Sequence, residues 1–332
     1  MNATLRSGSE APLRLLVWTG DDDAPLCAQL AGVQGVEVVR AHSAIQAAAA
    51  MPAVDAMIGS VIPWNIQLAD ALRAAPRLRW LQVMNAGYDN LEALRLPAHL
   101  RLSTLGALGS AFVAEHALSL LLAVMRAFPA AIEGGRKAQW DSVGLSRRMR
   151  SLRGSRVAVI GYGPVGQALT KLLLASGAGV IALARSARDE ASVQVRPLTA
   201  LHAVLPDVDA VAVCAPLKKG TLHLLDAAAF AALREGAVVV NVSRGPIIDT
   251  QALCAVLESG RLRGAGLDVT DPEPLPPGHM LWSHPRVILT PHVAWGGAPA
   301  ASRAERVDFA VENVRRVVRG EEPLGLVEPE YP

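Results

Sequence analysis

The sequence predicts a two-domain α/β protein with parallel sheets. Short apolar runs of strand length alternate with Ala/Leu-rich helical stretches along nearly the whole chain. One such run, Val157 to Ile160, leads into a glycine-rich turn and an amphipathic helix, as a strand buried on both faces would. The chain's 332 residues exceed one ordinary domain, and the strand and helix count restarts near residue 107.

Residues Met1 to Pro12 are polar and lack the apolar core, roughly 7 to 15 residues, of a signal peptide. Runs reading as strands follow at Leu13 to Trp18, Val36 to Val39, Ala56 to Gly59 and Trp80 to Met84, with helices between them up to about residue 105. This part has no phosphate loop. Ala111 to Phe128 reads as an almost unbroken apolar stretch forming a buried helix that contains Val113-Ala114-Glu115-His116 and ends near Arg126. After the glycine turn, strands are expected at Gly179 to Ala184, Ala210 to Cys214, Ala237 to Val242, Ala265 to Asp268 and Val287 to Leu289, with a helix at Thr250 to Ser259 among those in the gaps. Pro299 opens a last amphipathic helix to Arg319, with Val307, Ala310, Val311, Val314 and Val318 on its apolar face.

Composition excludes several classes of partner. A formal charge of +2 is too small for a nucleic-acid or membrane partner. No uncharged run approaches the roughly 18 residues of a membrane span, and a cytoplasmic protein is expected. The five arginines Arg147, Arg148, Arg150, Arg153 and Arg156 read as a solvated arm leading into the sheet. Cys27, Cys214 and Cys254 are too far apart for a zinc motif and odd in number, so packing thiols are expected and no metal.

Chemistry concentrates at strand ends. In Gly161-Tyr162-Gly163-Pro164-Val165-Gly166 the first glycine permits the turn and the second leaves the backbone open to a pyrophosphate. The third lets the helix from Pro164 to Ser176 pack closely on the strand. That helix aims its partial positive charge at the phosphates. The ribose reader is expected about 20 positions on, where Ala184, Arg185, Ser186 and Arg188 stand. An acidic residue there would accept the ribose hydroxyls. Arg185, with Ser186 and Arg188, instead suits a 2′-phosphate, so NADP(H) is preferred and NAD(H) possible. Three later segments, Asn241-Val242-Ser243-Arg244-Gly245, Gly266 to Asp268 leading to Glu273, and Thr290-Pro291-His292, put a cation, a carboxylate and an imidazole at the same sheet edge.

In this order the motifs resemble those of the D-isomer-specific 2-hydroxyacid dehydrogenases, and within them the glyoxylate/hydroxypyruvate reductases. The resemblance spans almost the whole chain, adding Asn85-Ala86-Gly87-Tyr88-Asp89, Val113 to His116, Pro216 to Thr221 and Glu273-Pro274-Leu275-Pro276 to the segments above. It implies two Rossmann-like or flavodoxin-like domains: residues 1–107 with 294–332 for substrate, and 108–293 for the dinucleotide, with the active site in the cleft between them. Arg244 would hold the substrate, His292 would exchange a proton with it, and Glu273 would hydrogen-bond the imidazole. Asn85, Ala86 and Gly87 would bind the substrate carboxylate. Cys214 and Pro216 would lie beside the adenine, Thr221 near the phosphates, Val242 and Ser243 along the cofactor, and Asp268 near the nicotinamide amide. Residues 128–150 would form a homodimer arm, with Trp140 reaching a neighbouring subunit's site. Glu115 and His116 read as structural.

The implied activity is NAD(P)H-dependent reduction of a small 2-oxo acid to the D-2-hydroxy acid. Two alternatives stay open: a dinucleotide-sensing, corepressor-like protein on the same fold, and an NAD-dependent dehydrogenase of phosphoglycerate or lactate type. Ala184 departs from the aspartate of many relatives. Glu273 argues against the formate-dehydrogenase branch, where an amide is typical. Trp295 is bulky where relatives are often small.

Overall fold

The computed structural model describes residues 11–20, 22–60, 66–89, 91, 96–190, 193–295 and 300–328. The chain forms two compact units, Met1–Leu108 with Ala298–Pro332, and Gly109–Gly297.

The first unit contains strands Leu13–Trp18 (β1), Val36–Arg40 (β2), Ala56–Gly59 (β3), Trp80–Val83 (β4) and Arg101–Ser103 (β5), parallel and ordered β2-β1-β3-β4-β5. Leu326–Val327 closes the β5 edge antiparallel. β1, β3 and β4 are almost wholly buried, as their apolar runs require.

The C-terminal helix Ala300–Val318 belongs to this unit and buries Val307, Ala310, Val311 and Val314. Val318, at the helix end, is only half-buried, and Val317 is buried instead. Pro299 lies outside the described residues. A polar lock fastens the helix. Buried Asn313 donates from Nδ2 to Gln82 Oε1 at 2.7 Å and to the Leu324 carbonyl at 3.0 Å, while its Oδ1 accepts from Leu324 N–H at 2.6 Å.

Among the described residues the second unit forms an eight-stranded sheet of Arg156–Ile160 (β6), Gly179–Ala184 (β7), Arg188–Glu190 (β8), Val193–Pro197 (β9), Ala210–Val213 (β10), Val238–Asn241 (β11), Gly264–Leu267 (β12) and Val287–Leu289 (β13). The spatial order is β13-β12-β11-β10-β6-β7-β9-β8, parallel except for β8 against β9. Alternate residues serve opposite faces. Ala158, Ile160, Val211, Val213 and Val239 enter one core, and Val157, Val159, Ala210, Ala212, Val238 and Val240 the other. The short, charged β8 has no apolar signature, and the sequence reading misses it along with β9.

Helix Ser110–Met125 lies in the second core. It ends beside Arg126, as expected, and a second helix, Phe128–Arg136, leaves at 64°. Pro129 explains the break: it lacks an N–H for the carbonyl of Met125, four residues earlier, and its ring would clash there. The two helices together have the length and apolar character of a bent span, but the first is packed into the core. Among the described residues no single helix is long and apolar enough to cross a membrane.

The glycine turn follows β6. Gly161 has φ +94°, and a Cβ there would lie 2.4 Å from Ala215 N; a Cβ on Gly166 would lie 2.0 Å from the Gly161 carbonyl oxygen. Helix Pro164–Ala175 can therefore start only where residue 166 has no side chain. Gly166→Ala should cost about 2 kcal/mol or more, read by urea denaturation; an unchanged midpoint would contradict this account of the turn.

Candidate active site

The carboxyl ends of β11, β12 and β13 lie side by side, with Asn241 in register with Leu267 and Leu267 with Leu289. Arg244, Glu273 and His292 lie in the segments that leave these ends. The Arg244 turn is tied down by its own sequence. Asn241 Nδ2 donates to the Arg244 carbonyl at 2.9 Å, and Asn241 Oδ1 accepts from Ser243 N–H at 3.0 Å. Ser243 Oγ donates to the Ala215 carbonyl. Gly245 sits so close to the next segment that a Cβ would lie 1.9 Å from the Thr270 carbonyl oxygen. Thr250 Oγ1 donates to the Asp271 carbonyl at 2.8 Å, which binds the two segments together. Arg244 Nη1 donates to the Ser243 carbonyl at 2.7 Å.

His292 Nδ1 lies 2.6 Å from Glu273 Oε1, with side chains 48% and 42% exposed. A carboxylate only accepts, so Nδ1 carries the proton. Nε2 is then the ring nitrogen available to a ligand. His292 has φ +53°, in the left-handed region that costs a non-glycine residue energy.

The surrounding bonds hold it there. His292 N–H donates to the Asp268 carbonyl at 2.8 Å. The Asp268 carboxylate, only 1% exposed as a residue, accepts Thr290 Oγ1–H at 2.6 Å, Val293 N–H at 2.9 Å and Ala294 N–H at 3.0 Å. A buried carboxylate needs such donors. His116, read from sequence as purely structural, also reaches this cluster, with Nε2 2.9 Å from Thr290 Oγ1 and 3.4 Å from Asp268 Oδ1. Apolar helical context hid it, and no spacing motif linked it to residues more than 150 positions away.

At the cofactor edge, a Cβ on Gly163 would meet nothing within 4 Å. The backbone there is open at the amino end of helix Pro164–Ala175, which begins Pro164-Val165-Gly166. This bare, glycine-lined cradle fits a dinucleotide pyrophosphate. Ala184 ends β7, and Arg185 and Ser186 are exposed just beyond it. Arg188 is more committed. Its Nε bonds Glu190 Oε1 at 3.0 Å, its Nη2 donates to the Tyr162 carbonyl at 3.0 Å, and its guanidinium lies 5.2 Å from the Tyr162 ring centre. Burial, with Glu190 adding a smaller push, raises the Tyr162 phenol.

Thr221 is buried and closes its own loop, accepting Lys218 N–H and donating to the Pro216 carbonyl, each at 2.8 Å. Val242 is buried in the core that holds helix Ser110–Met125. Asn85, Ala86 and Gly87 follow β4 in the first unit, where the Asn85 carbonyl accepts Leu105 N–H at 3.0 Å. Trp140 is 96% exposed on the arm, between helices Phe128–Arg136 and Ser142–Arg148. An open groove of about 2100 Å³ runs along this arm; Arg244, Glu273 and His292 do not line it.

The pattern described as "D-isomer specific 2-hydroxyacid dehydrogenase, NAD binding domain" matches residues 118–294, more than half of the chain. The chain belongs to the D-isomer specific 2-hydroxyacid dehydrogenase family. It is thus an NAD(P)-dependent oxidoreductase. The glyoxylate reductase of Thermofilum pendens is 32% identical over 269 residues, 79% of this chain and 78% of the relative. The glyoxylate/hydroxypyruvate reductase B of Citrobacter koseri is 29% identical over 303 residues, 90% of this chain and 92% of the relative. Among solved structures, an NADPH-dependent glyoxylate/hydroxypyruvate reductase from Sinorhizobium meliloti, in complex with NADP and sulfate, superposes with a TM-score of 0.81 at 26% identity. The superposition covers 96% of this chain and 98% of that one.

Cys254 and Cys214 of this family member pack against the two cores. Cys27, Cys214 and Cys254 are all intermediate, because Cys214 lies just past the end of β10 and Cys254 on a partly exposed turn of its helix. Burial still raises all three, foremost Cys214, from its ordinary 9.0 to about 12. Folding therefore retains the Cys214 proton. The stability this contributes is present below 9.0 and lost as pH rises from there to about 12. In native protein at about pH 8, Cys214 should resist iodoacetamide far longer than a free thiol. Rapid labelling there, mapped by mass spectrometry, would contradict the shift.

Proposed function

We propose that this enzyme reduces a small 2-oxo acid of the glyoxylate or hydroxypyruvate type to the D-2-hydroxy acid, with NADPH preferred over NADH. The reading rests chiefly on the 2.6 Å Glu273–His292 pair, set at the same sheet edge as the Arg244 turn. The names of the relatives point to the same substrates. A binding protein without catalysis has no need of an oriented proton donor at that edge.

When bound, the reduced nicotinamide supplies hydride to the carbonyl carbon of the oxo acid. Arg244 holds the substrate's carboxylate and carbonyl oxygen with its planar fork of donors, and stabilises the charge that gathers on that oxygen. His292, starting with protons on both ring nitrogens, gives the Nε2 proton to the oxygen and is left with the Nδ1 proton alone; the reverse reaction returns a proton to Nε2. Glu273 keeps the Nδ1 proton in place, so the ring returns to one tautomer.

Gly161, Gly163 and Gly166, with the amino end of helix Pro164–Ala175, hold the pyrophosphate. Arg185 and Ser186 receive the 2′-phosphate beside Ala184, where no carboxylate opposes it. The second unit is the cofactor domain and the first the substrate domain. The exposed apolar side chains of Phe128, Ile132, Trp140 and Val143 make the arm the surface of a homodimer, and the enzyme works in the cytoplasm without membrane or nucleic acid.

Purified protein mixed with NADPH and glyoxylate, or another short 2-oxo acid, should oxidise the cofactor, followed by absorbance. No oxidation across such a panel would overturn the reading. His292→Ala should lower turnover about 10²- to 10⁴-fold; near-normal turnover removes His292 from the proton transfer. Arg185→Ala should reduce the NADPH-over-NADH preference about 10- to 150-fold, the loss of a charge-assisted hydrogen bond. An unchanged ratio of kcat/KM values would assign the phosphate to other residues.

A further inference from the structure

We propose that His116 is a positioning residue for His292, acting through the Thr290 hydroxyl and the Asp268 carboxylate. The proposal rests on the reading of His292 as the proton donor. Its starting point is a proton count. The Thr290 hydroxyl has one proton, and the 2.6 Å contact with Asp268 Oδ1 uses it, because a carboxylate only accepts. At 2.9 Å from His116 Nε2 the same hydroxyl must therefore accept. His116 Nε2 carries a proton whether the ring is neutral or charged, and directs it to Thr290 and, at 3.4 Å, to Asp268 Oδ1.

The direction of these bonds defines what His116 does. Asp268 is the clasp of the His292 loop, since its two carboxylate oxygens hold Val293 N–H and Ala294 N–H and its carbonyl holds His292 N–H. This grip keeps His292 at φ +53° with Nδ1 on Glu273. Thr290 fixes one side of the carboxylate, and His116 fixes the lone-pair side of Thr290. Removing the His116 donor leaves the buried carboxylate, whose side chain has no exposed surface, with less compensation and the clasp free to rotate.

Packing locates His116 for this task. On helix Ser110–Met125 it shares a face with Leu120 and Val124, spaced four residues apart. A Cβ on Gly266 would lie 2.8 Å from the Leu120 side chain, and one on Gly264 would lie 2.9 Å from Val124. The two glycines of β12 thus let this helix face settle onto the strand that ends at Leu267, just before Asp268. The helix brings a rigid donor up beneath the loop, and its register is set by contacts one and two turns away.

The test compares His116→Leu, which removes the donor, with His116→Gln, whose amide nitrogen has a similar reach. His116→Leu should lower kcat about 10- to 100-fold, as a small misplacement of a reacting group does, while KM for the oxo acid changes less than about 3-fold because Arg244 is untouched. His116→Gln should recover most of the loss. Thr290→Val should match His116→Leu, and the double variant should be no slower than the slower single one. Wild-type kcat in His116→Leu, equal losses in the Leu and Gln variants, or additive losses in the double variant would each overturn the proposal.

A readout independent of turnover is backbone amide exchange. In His116→Asn, whose amide falls short of Thr290, exchange at Val293 and Ala294 should quicken relative to wild type. Unchanged protection there overturns the proposal even if the leucine variant does not fold. If wild-type protein reduces no 2-oxo acid, the functional reading fails, and the exchange experiment still decides whether His116 supports the clasp.

Discussion

Asp268 is a carboxylate shut away from water, and the site depends on how its charge is satisfied. Three donors converge on its oxygens from Thr290, Val293 and Ala294. All lie in the segment that carries His292, so the energy that compensates the buried charge also shapes that segment. Loop conformation and charge compensation are one event here. A loop held only by exposed hydrogen bonds would lose this coupling, because water would compete for each of them.

The neighbouring Arg244 turn is built on the same plan with neutral groups. The Asn241 side chain bonds both ends of its own turn, Ser243 reaches across to Ala215, and Gly245 admits the backbone of Thr270 at close range. Arginine and imidazole are thereby carried on segments tied down by several hydrogen bonds to their backbone, so less ordering remains when a ligand arrives. The sheet beneath is parallel and buried on both faces, which gives these segments adjacent starting points.

Much of this was legible in the sequence because it depends on local rules. Apolar runs marked β1, β3, β6 and β7, and the spacing of Gly161, Gly163 and Gly166 marked the phosphate turn. Strand-end placement singled out Arg244, Glu273 and His292. Features that depend on distant partners were not legible. The contact between His116 and Thr290 joins residues far apart in the chain, and β9 is defined by its pairing to β7, and β8 by its pairing to β9, more than by composition. The end of helix Ser110–Met125 beside Arg126 was legible, while the short helix Phe128–Arg136 that follows it was not. Val317 is buried and Val318 half-buried because, at i+3 from Val314 and i+7 from Ala310, Val317 lies on the same apolar face that Val318 borders.

The lock between Gln82, Asn313 and Leu324 bears on how the chain comes off the ribosome. Every strand of the second unit has been made by Leu289, so that unit can close while later residues are still being added. The first unit starts earlier yet finishes later. Gln82 and the edge at β5 wait for Asn313 and for Leu326–Val327. Until those residues emerge, β4 and β5 present apolar surface and an unpaired strand edge, and the nascent chain passes through a stage in which its older half is the less protected one.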